Sequence, residues 1–140
     1  MLKVLSRLAL LTVVLGVTAC AVIQPKTDEE RVVALSEQRQ AALLEHDFKK
    51  AYQYVSPGYR QLNNLESFTS DNIGVYSWES SEVLGATCED EICKVNVKVI
   101  FDMGLLKDAR GPKPEKFLVP RINKETWVKL DNKWWFSKSQ

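Results

Sequence analysis

Among the 140 residues, the side chains that could carry chemistry are few: three cysteines, one histidine and a scatter of carboxylates and tyrosines. Cys88 and Cys93 are close enough in sequence to pair, which leaves Cys20 odd. An odd thiol is unusual in an oxidising compartment unless something modifies it. Zinc is the rival use of a C-x4-C pair. With one histidine and no further cysteine beyond Cys20, a four-ligand site is not supplied, and no metal or other cofactor is expected. His46 falls in a turn between helices and reads as a surface residue. The acid with the sharpest potential is Glu82. If the strand that carries it alternates strictly, Glu82 faces an apolar interior, where a carboxylate has a raised pKa and can serve as an acid or base. A bulge between Trp78 and Leu84 would turn it outward instead.

Cys20 closes the stretch Val17-Thr18-Ala19-Cys20. Before it, Lys3 and Arg7 form a positive n-region, and Leu8 to Val17 forms an apolar core of ten residues. That core is too short to span a bilayer, which needs about 20 residues. The pattern is that of a lipobox: residues 1–19 are a signal peptide, cleaved before a lipid-modified Cys20. Ordinary signal cleavage after Ala19 is the rival, but it gives no role to a cysteine at the new N-terminus. The segment resembles bacterial lipoproteins, and that resemblance implies several acyl chains on Cys20. At about 0.8 kcal/mol per buried methylene, more than one chain makes a durable anchor. Ala21, rather than Asp, after the cysteine implies the outer membrane of a Gram-negative cell, with the domain facing the periplasm.

Loss of residues 1–19 removes two of the 19 Lys and Arg, leaving 17 against 18 Asp and Glu, a formal charge of −1. A nucleic-acid-binding domain usually shows a basic face and a high pI, so that class is set aside. Residues 20–26 are the lipidated N-terminus and a tether reaching about 20 Å at most. Residues 27–140 are long enough for one packed domain, with the 45% hydrophobic and 26% charged content of an ordinary soluble fold.

The elements that position these groups follow from periodicity. Thr27 with Glu30 fits a capping box, opening a helix to about Glu45. Its stripe of Val32, Leu35, Ala42 and Leu43 is interrupted by Arg39. Asp47 caps a second helix with Phe48, Ala51, Tyr52 and Val55 on one face. Ser56-Pro57-Gly58 stops it, another turn runs over Tyr59 to Asn63, and a short helix over Leu65 to Ser70. From Val75 the period becomes two. Trp78 to Cys88 forms a hairpin with Cys93 to Met103, and Asp90-Glu91 as the turn sets Cys88 opposite Cys93. Gly104 to Lys116 is a loop in which Lys107, Arg110, Lys113 and Lys116 form either a solvated connection or a basic lip over an anion or lipid headgroup. Phe117 to Leu130 is one bent strand or two, with Pro120 at an edge or bulge. A three-residue loop, Asp131-Asn132-Lys133, leads to a last strand, pairing Val128 with Phe136 and Leu130 with Trp134. Trp127 and Trp135 then share the outer face, covered by the chain itself or offered to a dimer or envelope partner.

The fold class is therefore α+β: N-terminal helices packed on a curved antiparallel sheet. The run Asp47-Phe48, Ala51-Tyr52, Ser56-Pro57-Gly58-Tyr59-Arg60, Trp78, Cys88, Cys93-Lys94-Val95, Trp127-Val128 and Lys133-Trp134-Trp135-Phe136 resembles bacterial envelope proteins of the nuclear-transport-factor-2-like superfamily. The resemblance implies a cone whose concave face holds a pocket, here with Tyr52, Tyr59, Trp78, Glu82 and Phe101 as candidate lining and a small apolar molecule as candidate ligand. It also implies dimerisation through the outer sheet face, which favours Trp127 and Trp135 as a partner surface. Because the shared residues are core and turn residues, no catalytic residue is assigned. The reading is a non-enzymatic binding or scaffolding module; the alternative is an isomerase or hydratase using Glu82 and a tyrosine.

Overall fold

The computed structural model describes residues 26–106 and 116–138. The lipobox and the tether before Lys26 lie outside the described residues, as do Lys107, Arg110 and Lys113. The element order is α1 (Asp28–Leu44), α2 (Phe48–Tyr52), α3 (Pro57–Leu62), α4 (Leu65–Asp71), a 3-10 turn (Ile73–Ser77), β1 (Trp78–Glu89), β2 (Ile92–Asp102), a second 3-10 turn (Met103–Leu106), β3 (Leu118–Leu130) and β4 (Lys133–Ser137). The four strands form an antiparallel meander in the order β1-β2-β3-β4, and α1 lies across one face of it, mainly against β1. The fold is α+β.

Each helix starts where a side chain satisfies an otherwise orphaned N–H. At α1 the Thr27 hydroxyl accepts from Glu30 N while the Glu30 carboxylate accepts from Thr27 N, a complete capping box. Asp47, Ser56 and Asn64 cap α2, α3 and α4 in the same manner. Pro57 opens α3, where its missing N–H costs nothing. Tyr54 to Ser56 runs beside the end of β4: Ser56 N donates to Phe136 O, and Phe136 N donates to Tyr54 O. Part of the outer edge of β4 is thereby paired.

Two apolar clusters result. Between α1 and the sheet lie Val32, Cys93, Val95, Val97, Val99, Trp127 and Trp134. Among the helices lie Ala42, Leu43, Phe48, Ala51, Val55, Phe68 and Val75. Trp78 and Phe136 pack against both and join them.

The strand registers depart from simple alternation at two points. In the first hairpin Cys88 pairs with Cys93 and the two are joined as a disulfide, their Cα atoms 4.0 Å apart. Leu84 is then an extra residue: Val83 opposes Val97, and Gly85 opposes Asn96. Gly85 has φ 149, a conformation that glycine takes without strain. This bulge reverses the parity of β1, so Glu82 lies opposite Lys98 on the convex face, and a second irregularity follows between Trp78 and Ser80.

In the second hairpin the turn has two residues rather than three. Asp131 and Asn132 have φ values of 50 and 60, the pair of positive angles that a type I′ turn requires. Leu130 therefore pairs with Lys133, Val128 with Trp135 and Trp127 with Phe136. Shifting the register by one residue exchanges the faces. Trp127 belongs to the interior with Trp134 and Phe136; Trp135 is on the other side, with Val128 and Leu130. Pro120, opposite Ile100, falls where β4 no longer flanks β3, so β3 is an edge strand there.

Candidate functional site

The interior beneath α1 is organised around a buried carboxylate. Glu125 and Trp127, two residues apart on β3, both point toward α1 and are 5% and 0% exposed. Glu125 accepts from Arg39 Nη1 at 2.5 Å and Gln40 Nε2 at 2.7 Å on one oxygen. On the other it accepts from Ser36 Oγ at 2.7 Å and Trp127 Nε1 at 2.9 Å. Three donors come from consecutive turns of α1, since positions 36, 39 and 40 share one helical face. Arg39 is also buried, with its guanidinium 3.7 Å from the centroid of the Phe136 ring. Burial pushes the pKa of Arg39 down and the neighbouring Glu125 opposes that shift. A guanidinium remains charged regardless, so the pair is a buried ion pair. Arg39 Nε and Gln40 Oε1 are buried without a hydrogen-bond partner among the described residues. This network ties the helix to the third strand across the core. With two donors already on each oxygen, Glu125 has no lone pair directed at a substrate.

Of the proposed pocket residues, Tyr52, Tyr59 and Trp78 pack against the helical cluster and Trp78 meets Phe101, whereas Glu82 stands apart. The Tyr52 hydroxyl donates to Asn63 O at 2.6 Å, pinning the end of α3. The Tyr59 hydroxyl donates to Asp71 Oδ2 at 3.3 Å, and burial is the main cause of its raised pKa. Both belong to the helical layer. Trp78 and Phe101 meet edge to face at 6.0 Å between centroids at the far end of the first hairpin. Glu82 is 68% exposed, with Lys98 Nζ 4.0 Å away. Turned outward by the Leu84 bulge, Glu82 does not line the concave face. His46 is likewise an exposed turn residue, its ring tilted against that of Tyr76 with the centroids 4.3 Å apart.

The aromatic partner face is corrected too. Trp127 is core, and only Trp135 of the pair reaches the surface, half-buried, with Arg60 5.2 Å from its ring centroid. Of the basic residues in the loop before β3, Lys116 is engaged by Glu79 at 2.6 Å.

Two larger open concavities lie among the described residues. One of about 830 Å³ is at the tip of the sheet between the β1–β2 turn and the end of β3, rimmed by Glu89, Asp90 and Glu91 as well as Lys94 and Lys129. Its charges are mixed and none of its polar residues is buried. The second, about 520 Å³, lies between the start of α1, the segment after α2 and the β3–β4 turn. Its walls are Leu35, Tyr54, Trp134 and Trp135, and its charged residues are Lys26, Arg31 and Lys133, with no carboxylate. Next to it the partly exposed Asp28 accepts from Trp134 Nε1 at 3.2 Å and from Lys129 Nζ at 3.1 Å, and hydrogen bonds from these two groups hold its carboxyl below the usual range. Sequence reasoning missed this groove because its residues come from three separate segments.

Among solved structures, a SEC-C-motif protein from Psychrobacter arcticus is similar with a TM-score of 0.54 and 17% identity, over 81% of this chain and 61% of that one. A SEC-C-motif protein from Rhodopseudomonas palustris gives 0.52 and 19%, over 76% and 75%. A Campylobacter jejuni protein named an NTF2-like transpeptidase gives 0.48 and 14%, over 76% and 96%. No protein-family model and no curated protein matches the sequence. At these identities the likeness is one of fold, helices on a curved antiparallel sheet.

Proposed function

We propose that this chain is a lipoprotein of the bacterial envelope, anchored through Cys20 in the outer membrane with its domain in the periplasm. There its nuclear-transport-factor-2-like cone serves as a non-enzymatic binding or scaffolding module. The observation that carries the non-enzymatic reading is Glu125. It is buried beside Trp127, and four hydrogen bonds saturate it; the other buried acid among the described residues, Asp102, accepts from Gly104 N and Phe117 N. Its place in the interior is structural, and recognition falls to the surface. The periplasmic address is supported by the Val17-Thr18-Ala19-Cys20 stretch and by a disulfide, which persists in oxidising compartments.

The test is expression of the full chain and of Cys20→Ala in a Gram-negative host, with membrane fractionation and mass measurement of the N-terminal peptide. The reading expects an acylated peptide beginning at Cys20 in the membrane fraction, and release or accumulation of unprocessed chain for Cys20→Ala. An unmodified Cys20 peptide in the soluble fraction would refute it.

A further inference from the structure

We propose that the groove walled by Tyr54, Trp134 and Trp135 docks on the anionic phospholipid headgroups of the membrane that holds the anchor. The inference rests on the lipoprotein reading and adds an orientation to it. Three observations combine. The first is charge. In a domain whose formal charge is close to zero, the groove gathers Lys26, Arg31 and Lys133 with no carboxylate in its lining. A shallower hollow beside it shares Gln53 and Tyr54 and adds Lys49 and Lys50; the one acid there, Asp47, accepts from Lys50 N. Arg31 has Asp28 at 3.5 Å, whereas Lys26 and Lys133 have no acid partner among the described residues. Phosphate is the complement of such a surface.

The second observation is the aromatic wall. Tryptophan and tyrosine, with an apolar body and a polar tip, favour the level of lipid headgroups. Tyr54 and Trp135 are the partly exposed members of the wall; Trp134, 8% exposed and tied by its N–H to Asp28, forms its floor, and the Tyr54 hydroxyl donates to Gln38 Oε1 at 3.0 Å. The third is position. Lys26 is itself a groove residue and lies six positions after Cys20, a separation of about 20 Å at full extension. Of the surfaces described, this one is fixed to the tether. The hollow at the sheet tip, with mixed charges on its rim, reaches the same end of α1 only through the Lys129–Asp28 ion pair.

The experiment uses protein expressed from the full chain and purified as the cell processes it. It is reconstituted with vesicles of phosphatidylcholine alone or with about one third phosphatidylglycerol. Lysine acetylation is then followed residue by residue by mass spectrometry. Each cation at an anionic surface contributes enough to slow its acetylation about fivefold. Lys26 and Lys133 are expected to be protected to that extent by phosphatidylglycerol, and high salt should erase the effect. Lys94 and Lys124, on the convex face, should change less than about twofold. Lys133→Gln should weaken the protection at Lys26. Equal rates in both vesicles, or equal protection of Lys94 and Lys124, would overturn the proposal. Protection by inorganic phosphate or glycerol 3-phosphate in detergent, without vesicles, would overturn it in favour of a soluble anion. The N-terminal peptide from the same digest reports acylation separately. Acyl-Cys20 without protection defeats the docking alone; protection without acyl-Cys20 defeats the anchor alone.

Discussion

Breaking the Arg39–Glu125 pair from either side should be among the costliest changes available to this domain. In Arg39→Met, Glu125 keeps Ser36, Gln40 and Trp127 as donors but loses its countercharge at a site 5% exposed. In Glu125→Gln, a buried guanidinium whose pKa is already pushed down by burial loses the group that opposes that shift. Removing one partner of a buried pair typically costs about 3–5 kcal/mol, a large share of the roughly 5–15 kcal/mol that holds a domain together. The double variant removes both charges. Its new amide on β3 would still accept from Trp127 or Ser36, and its new thioether on α1 would fill much of the arginine's volume against Phe136. Its cost should therefore fall short of the sum of the single costs by about 2 kcal/mol or more. Urea unfolding followed by tryptophan emission measures all four corners of the cycle. With a slope of about 1.5 kcal/mol per molar, each single variant should lower the midpoint by about 2–3 M. If a single variant does not fold at all, the double variant should still be recovered, since it leaves no isolated charge. Single costs below about 1 kcal/mol, adding linearly in the double variant, would refute the reading of a buried, mutually dependent pair.

Glu82→Gln should shift stability by less than about 0.5 kcal/mol in the same titration, because an exposed ion pair at 4.0 Å contributes little. Replacing Cys88 and Cys93 together by alanine should cost about 2 kcal/mol, the chain-entropy value for a loop closed over so short a separation, and should lower the melting temperature by roughly 10 °C. Asp28→Asn tests the pH dependence. Its carboxyl is held below the ordinary 3.8 by hydrogen bonds from Trp134 and Lys129. A depressed carboxylate contributes stability that is present above its unfolded value and lost as pH falls through its folded one. The melting-temperature gap between parent and Asp28→Asn should hold constant from neutrality to about pH 5, then narrow below about pH 4; a gap independent of pH down to about pH 2 would contradict the assignment.

Much of the fold was legible because local chemistry and tertiary packing agree. Thr27 with Glu30, Asp47 and the Cys88–Cys93 register are each settled by a few neighbouring residues, and each is found where those residues place it. The second helix ends at Tyr52, short of Val55, and the next opens at Pro57; the two departures in the sheet both concern the parity of a strand, which a single residue reverses. At Leu84-Gly85 the glycine permits a backbone angle that lets one extra residue into the ladder. At Asp131-Asn132 two residues that tolerate positive φ close the hairpin, so Lys133 joins β4 instead of the turn. The Asp-Asn pair is itself the signal for the shorter turn. Reading it as such would have turned Trp127 inward and Trp135 outward without further information.

The interior network was only half visible, and the reason is physical. Arg39 stood out because it breaks an otherwise apolar helical stripe, and a charged residue on a core-facing stripe demands a buried counterpart. Its counterpart could not be located, because β3 does not alternate. Arg121, Asn123 and Glu125 share the inward parity with Trp127, while Ile122 and Val128 lie on the convex side. Polar residues on the inner face are tolerated where helix donors reach them, as at Glu125, or where the face opens to solvent, as at Arg121. The same geometry bears on function. Arg39, Trp127 and the donors to Glu125 occupy the region between α1 and the sheet, and the open concavities lie outside it. The basic, aromatic groove is the described concavity that contains Lys26, six positions after Cys20.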